Sequence, residues 1–165
     1  MGCHRENIAL MAWSLSEPIR IVVPGPPTAW QRAGHRIAKA KSGALFVQSY
    51  TQTKTREAQT DIKVIAHETM KGRAPINGPI DLRFAAFLPV PASWSKKKTQ
   101  DALADRVRPT TKPDFDNYSR MIDALKQIVW TDDSRVTDAG VFKRYSATPK
   151  LVIEVRALTW TDAPD

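Results

Sequence analysis

Thr111-Lys112-Pro113-Asp114-Phe115-Asp116-Asn117 opens an amphipathic run that closes on Trp130-Thr131-Asp132-Asp133-Ser134. Pro113 is barred from a helix interior or a central strand, and it biases Lys112 toward an extended backbone. Asp114 and Asp116 are two residues apart, so an extended segment sends both carboxylates to one side. Asp116 or Asn117 can serve as the N-cap of a following helix, its side-chain oxygen accepting from a backbone N–H of the first turn. At 100° per residue from Asp116, the residues Tyr118, Met121, Ile122, Leu125, Ile128 and Val129 fall within roughly 120–240°. Arg120, Asp123 and Gln127 fall back in line with Asp116. One side is apolar and belongs to a core; the other carries acid, base and acid toward solvent or a ligand.

Oxygen-only acidic sets suit hard divalent cations, chiefly magnesium or manganese, which take a few carboxylates together with water and substrate phosphate. Phosphodiester cleavage needs such an ion to polarise the phosphate and positive charge to offset the developing negative charge. Taken singly, each aspartate is more simply a helix cap or a turn residue. Four of them bracketing one helix in a basic chain favour the metal reading.

The order Lys112-Pro113-Asp114-Phe115-Asp116-Asn117, Arg120, Asp123-Ala124-Leu125, Trp130-Thr131-Asp132-Asp133-Ser134-Arg135-Val136 resembles the signature of RusA-type Holliday junction resolvases. That family consists of small, magnesium-dependent, homodimeric endonucleases common in bacteria, prophages and phages. The likeness runs loosely over 19–158, with its motif core at 112–136. It implies Asp114, Asp116 and Asp133 as the acidic set that holds Mg²⁺, with Mn²⁺ a possible substitute and Asp132 close behind Asp133. It also implies a four-way DNA junction as substrate, two symmetric copies acting on it, and roles in recombination and repair. Two positions depart from the family pattern. Arg120 stands where the family carries lysine: it keeps the charge and can grip phosphate with two N–H groups, but it cannot give up a proton at neutral pH. The interval from Arg120 to Asp123 is one residue shorter than usual, which leaves Asp123 better explained as an i,i+3 partner of Arg120.

Composition agrees. A chain of 165 residues is one domain with a substantial core. Its 25 basic and 17 acidic residues give a net charge of +8, and the isoelectric point near 9.8 points to a polyanionic partner. No apolar run approaches membrane-spanning length, and no secretory signal is evident. A lone cysteine, Cys3, allows no internal disulfide and suits a reducing cytoplasm, that of a bacterium or a phage-infected host. His4, His35 and His67 lack metal-ligand spacing, and no glycine-rich loop announces a nucleotide cofactor.

In chain order, residues 1–18 form a loosely ordered leader, 19–158 the endonuclease domain and 159–165 a tail. A strand is expected at 19–23, stopped by Pro24-Gly25-Pro26-Pro27. The basic stretch that follows, with Arg32, Arg36, Lys39 and Lys41, reads as a phosphate-contacting arm. A short strand at 44–47 pairs back around Ser42-Gly43. A long helix spans 51–70 with Ala58, Ile62, Ile65, Ala66 and Thr69 as its buried stripe. Ile80, Leu82, Phe84, Ala86 and Leu88 alternate as a strand packed on one face, Asp81 and Arg83 pointing the other way.

Ser93 or Ser95 caps a short polar helix that opens with Lys96, Lys97 and Lys98, the strongest local candidates for backbone neutralisation. Arg106, Arg108 and Lys112 line a flexible approach to the acids. Strands at 135–145 and 151–158 follow, with Lys143 adding positive surface. Strands and helices mix without regular βαβ alternation, so the expected class is α+β, a mixed sheet with two main helices packed on it. Phe115, Tyr118, Trp94 and Trp130 are core residues by default. The competing readings are a non-catalytic binder of branched DNA and a nuclease for flap or linear DNA.

Overall fold

The computed structural model describes residues 12–28, 33–50 and 52–161. Its strands are β1 (Ala12–Leu15), β2 (Ile19–Pro24), β3 (Gly34–Lys39), β4 (Leu45–Tyr50), β5 (Ile80–Pro89), β6 (Val136–Ser146) and β7 (Lys150–Thr161). Its α-helices are α1 (Thr53–Met70), α2 (Lys96–Leu103) and α3 (Phe115–Ser119), with 3₁₀ turns at Arg120–Ala124 and Asp133–Arg135. This is the α+β class the sequence suggests.

β5 is central because it alternates most cleanly: Ile80, Leu82, Phe84 and Ala86 are all buried. It pairs parallel with β6 and antiparallel with β7. The other edge of β7 is shared, β2 taking Lys150 to Val155 and β1 taking Leu158 to Thr161. β1 therefore lies within the expected leader, and β7 reaches into the expected tail. Helix α1 packs on β2 through Ile62, Ala66 and Met70, joined in one core by Phe84, Tyr118, Leu125, Trp130 and Ile153. The hairpin expected around Ser42-Gly43 is present as β3 and β4, which among the described residues pair only with each other. No helix among the described residues is long and apolar enough to cross a membrane.

Two local expectations change. The run after Asn117 is not one helix: α3 ends at Ser119, the chain tightens to 3₁₀ over Arg120–Ala124, and it then turns so that Trp130 pairs with both Lys126 and Ile76. Tyr118, Met121 and Ala124 are fully buried at intervals of three, which a 3₁₀ turn satisfies as well as an α-helix does. Asp81 points away from the core as expected yet is only 5% exposed, because Arg83 Nε bonds it at 2.9 Å. That bond raises the Arg83 pKa further above its ordinary value.

The turn after Leu125 puts Gln127 at φ 63°, a left-handed backbone that favours glycine. Gln127→Gly is expected to raise stability by up to about 1 kcal/mol, strain relief outweighing the added chain entropy. A urea midpoint that moves down would mean that the Gln127 side chain holds the turn in a way its exposure does not suggest.

Candidate active site

The acidic block begins at a tethered loop. Lys143, on β6, donates Nζ hydrogen bonds to the carbonyls of Thr111 at 2.9 Å and Pro113 at 3.1 Å. The Lys112–Pro113 peptide is cis. Asp114, not Asp116 or Asn117, is the N-cap of α3: its backbone is extended and its carbonyl accepts from the Asn117 N–H. The Asp114 side chain makes no capping bond, so its carboxylate is not spent on the helix. Pro113 holds Lys112 extended, so the helix starts no earlier than the residues after the proline. Asp116, exposed in the first turn, lies 3.7 Å from Arg120 Nε one helical turn on.

The second acidic block is held from below. Trp130 is fully buried, Thr131 N–H donates to Ile76, and Thr131 Oγ1 bonds Asn77. Trp130 Nε1 reaches out of the core to donate to Asp133 Oδ1 at 3.0 Å. Asp132 accepts the Ser134 N–H on one oxygen and the Lys126 ammonium at 2.7 Å on the other. Lys126 lies 3.9 Å from Asp133. The Lys126 hydrogen bond, then the Ser134 amide, hold Asp132 well below the usual carboxylate range, and Lys126 is raised in turn.

Because the folded value for Asp132 is depressed, the pair stabilises the protein above the ordinary carboxylate range and loses that contribution as pH falls through the folded value. Both groups are exposed, so the effect on stability is small and the useful readout is the titration itself. Lys126→Met is expected to return Asp132 toward the ordinary range in a carboxylate ¹³C NMR titration. An unmoved titration would give the shift to Ser134 alone.

The four aspartates thus stand as two blocks, each with a cation beside it: Arg120 near Asp116 in the first, Lys126 on Asp132 and near Asp133 in the second. Among the described residues, no three acidic, histidine or cysteine side chains gather as a metal group. Exposed carboxylates suit a hard divalent cation in donor type. In this arrangement they are two half-sites, and Lys126 holds the second.

Sequence reasoning missed Lys126 because it pairs with Asp132 across a chain reversal rather than at helical spacing. It also missed the Trp130 indole as a support for Asp133. Lys143, counted with the DNA-contacting residues, has its ammonium engaged by the loop carbonyls.

The remaining bases surround these pairs. Lys96, Lys97 and Lys98 occupy the first turn of α2, capped as expected by Ser95, whose hydroxyl accepts from the Lys98 N–H. Cations at a helix N-terminus oppose its dipole, so helix stability does not account for them. Lys98 also sits 3.9 Å over the Trp94 ring. Arg106 pairs with Asp101 and Arg108 with Asp105, so the approach loop is laced by ion pairs. Lys112 is exposed, and α2 and α3 both pack on β6. Arg36, Lys39 and Lys41 belong to the β3–β4 hairpin and its turn, whose apolar side chains Ile37, Leu45 and Val47 are 74%, 71% and 69% exposed. No acid occurs between Glu17 and Glu57. Arg32 lies outside the described residues.

The family description Endodeoxyribonuclease RusA matches residues 24–156. The chain belongs to the RusA endodeoxyribonuclease family. It is an enzyme that hydrolyses DNA. RusA nucleases are generally dependent on a divalent metal, in keeping with the carboxylate donors above. Uncharacterized protein YqaN of Bacillus subtilis (strain 168) is 32% identical over 144 residues, which cover 86% of this chain and 97% of that relative.

Proposed function

We propose that this RusA-family chain resolves four-way DNA junctions in the cytoplasm, as a homodimer that cuts paired strands with the help of Mg²⁺, for which Mn²⁺ can substitute. The observation that carries the reading is the family match over residues 24–156, whose motif acids lie at the start of α3 (Asp114, Asp116) and beyond the reversal at Gln127 (Asp132, Asp133), with exposed bases on α2 and the hairpin.

Asp114, Asp116 and Asp133 are the acidic set. Asp133 is preferred to Asp132 because both oxygens of Asp132 are engaged at short range, whereas Asp133 Oδ2 has only a long contact to Lys126. A divalent cation bound there would polarise the scissile phosphate and neutralise charge. Lys126 must give way for the second pair to join the first, so the site assembles on binding. Arg120 stabilises the phosphate charge and is not the general acid, since a guanidinium keeps its proton. Lys143 positions the loop that carries Asp114. Phosphate contacts come from Lys96, Lys97, Lys98, Lys112, Arg36, Lys39 and Lys41, with Arg32, Arg106, Arg108 and Lys143 as further members of the basic set.

The deciding experiment is cleavage of a mobile four-way junction in Mg²⁺ and in EDTA, read at nucleotide resolution. Symmetric, ligatable nicks in opposed strands, absent with EDTA, are the expected result. Flap-specific or random duplex cuts would give the site to another nuclease class. DNA affinity should also fall steeply with salt, since each neutralised phosphate releases counterions.

A further inference from the structure

The β3–β4 hairpin has two unlike sides. Directly paired residues of an antiparallel ribbon share a side, and successive residues alternate. One side is laced by its own side chains. The Tyr50 ring lies against Gly34, where any Cβ would collide with it, and Arg36 Nε donates to Gln48 Oε1 at 2.9 Å. On the other side His35 Nδ1 and Ser49 Oγ lie 2.9 Å apart at the open end of the ribbon. Ile37, Val47 and Leu45 continue from there toward the turn as one apolar strip, with Lys39 beside Leu45. These three are the most exposed large apolar side chains among the described residues.

A two-stranded ribbon gains little by folding alone, and an open aliphatic strip is a cost until something covers it. From Pro18 to Arg56 the chain has no acid, while the hairpin carries Arg36, Lys39 and Lys41. Set against its own copy, the strip would bring like charges together with no acid in the hairpin to offset them. The same charge attracts DNA, and a two-stranded ribbon is slim enough to enter a groove. Continuous duplex keeps the faces of its bases inside the stack and offers aliphatic side chains little besides thymine methyls. Where stacking is interrupted, base faces become an apolar surface, and aliphatic wedges cover such surfaces in kinked DNA.

We propose that Ile37, Leu45 and Val47 cover bases exposed where stacking breaks at a branch, while Lys39 and Lys41 hold the flanking phosphates. The hairpin then selects the DNA on which the two acidic blocks act. This deepens the reading that branched DNA is the substrate, and it rests on that reading.

The test compares binding in EDTA to a four-way junction and to a linear duplex with the same number of base pairs. Ile37→Thr combined with Val47→Thr keeps branching at Cβ and hence the preference for a strand. The double variant is expected to lose about tenfold in junction affinity and under about threefold in duplex affinity. Lys39→Ala should weaken both alike and lower the log–log salt slope by about one. In the wild type, junction should protect Ile37, Leu45 and Val47 from hydroxyl-radical oxidation more than duplex does. The inference is overturned if the double variant loses both DNAs equally or neither, or if the two DNAs protect the strip alike. A double variant that sediments, without DNA, at a lower mass than the wild type would give the strip to a protein contact and overturn it too. Neither metal nor cleavage enters these measurements. A wild type that cuts the wrong DNA, or none, therefore tells against the functional reading separately.

Discussion

Asp116→Asn is expected to reduce cleavage of a four-way junction by on the order of a thousandfold or more, while junction affinity stays the same or tightens. The substitution keeps the shape of the side chain and removes one negative charge. A site that needs oxygen anions to hold a cation loses it, whereas the bases on α2 and the hairpin that are proposed to contact phosphate are unchanged. Instability can be set aside in advance. Asp116 is exposed, and its contact with Arg120 at 3.7 Å joins two exposed groups. Removing such a pair changes stability by no more than roughly 0.5 kcal/mol. A melting temperature like that of the wild type, unchanged binding in a gel-shift series and no nicks at nucleotide resolution is therefore the expected pattern. Cleavage within threefold of wild type would remove Asp116 from the chemistry and leave Asp114 without its partner.

The sequence was most legible where one face of an element had to be buried. Alternation from Ile80 to Ala86 located β5 and its inner side, and Ser95 located the start of α2. The acidic motif pointed to the family because its spacing reflects chemistry rather than packing. What stayed hidden depended on choices made at long range. Ala12–Leu15 is too short to show a period, and its strand exists because β7 is long enough to pair with both β1 and β2. Tyr118, Met121 and Ala124 fit a three-residue period as well as a helical one, so the break into 3₁₀ left no trace. Gln127 adopts a glycine-like backbone without being glycine or asparagine, which concealed the reversal that brings Lys126 onto Asp132. Asp81 looked like a solvent residue because strand alternation puts it and Arg83 on the outer face without showing that the two bond each other closely enough to bury the carboxylate.

Trp130 offers the sharpest test of how the core governs the site. Its ring is fully buried between the Ile76 segment and the turn after Leu125, and its indole N–H is a direct link to Asp133. Trp130→Ala empties that space and is expected to cost about 3–5 kcal/mol, a large part of the stability of a domain this size. Trp130→Phe separates the two roles. It fills much of the volume, so the expected cost is about 1–3 kcal/mol, of which loss of the bond to a carboxylate is a major share. At a temperature well below its melting point, Trp130→Phe should bind junction normally and cleave it at least tenfold more slowly, because Asp133 is then free to turn toward Lys126. Val129→Ala is the control, being fully buried beside Trp130 with no polar group aimed at the site. If both variants lose stability and neither loses cleavage rate, Asp133 needs no support from the core. If both lose cleavage rate alike, the effect belongs to packing rather than to the indole. Only a rate deficit confined to Trp130→Phe assigns the indole the task of aiming Asp133.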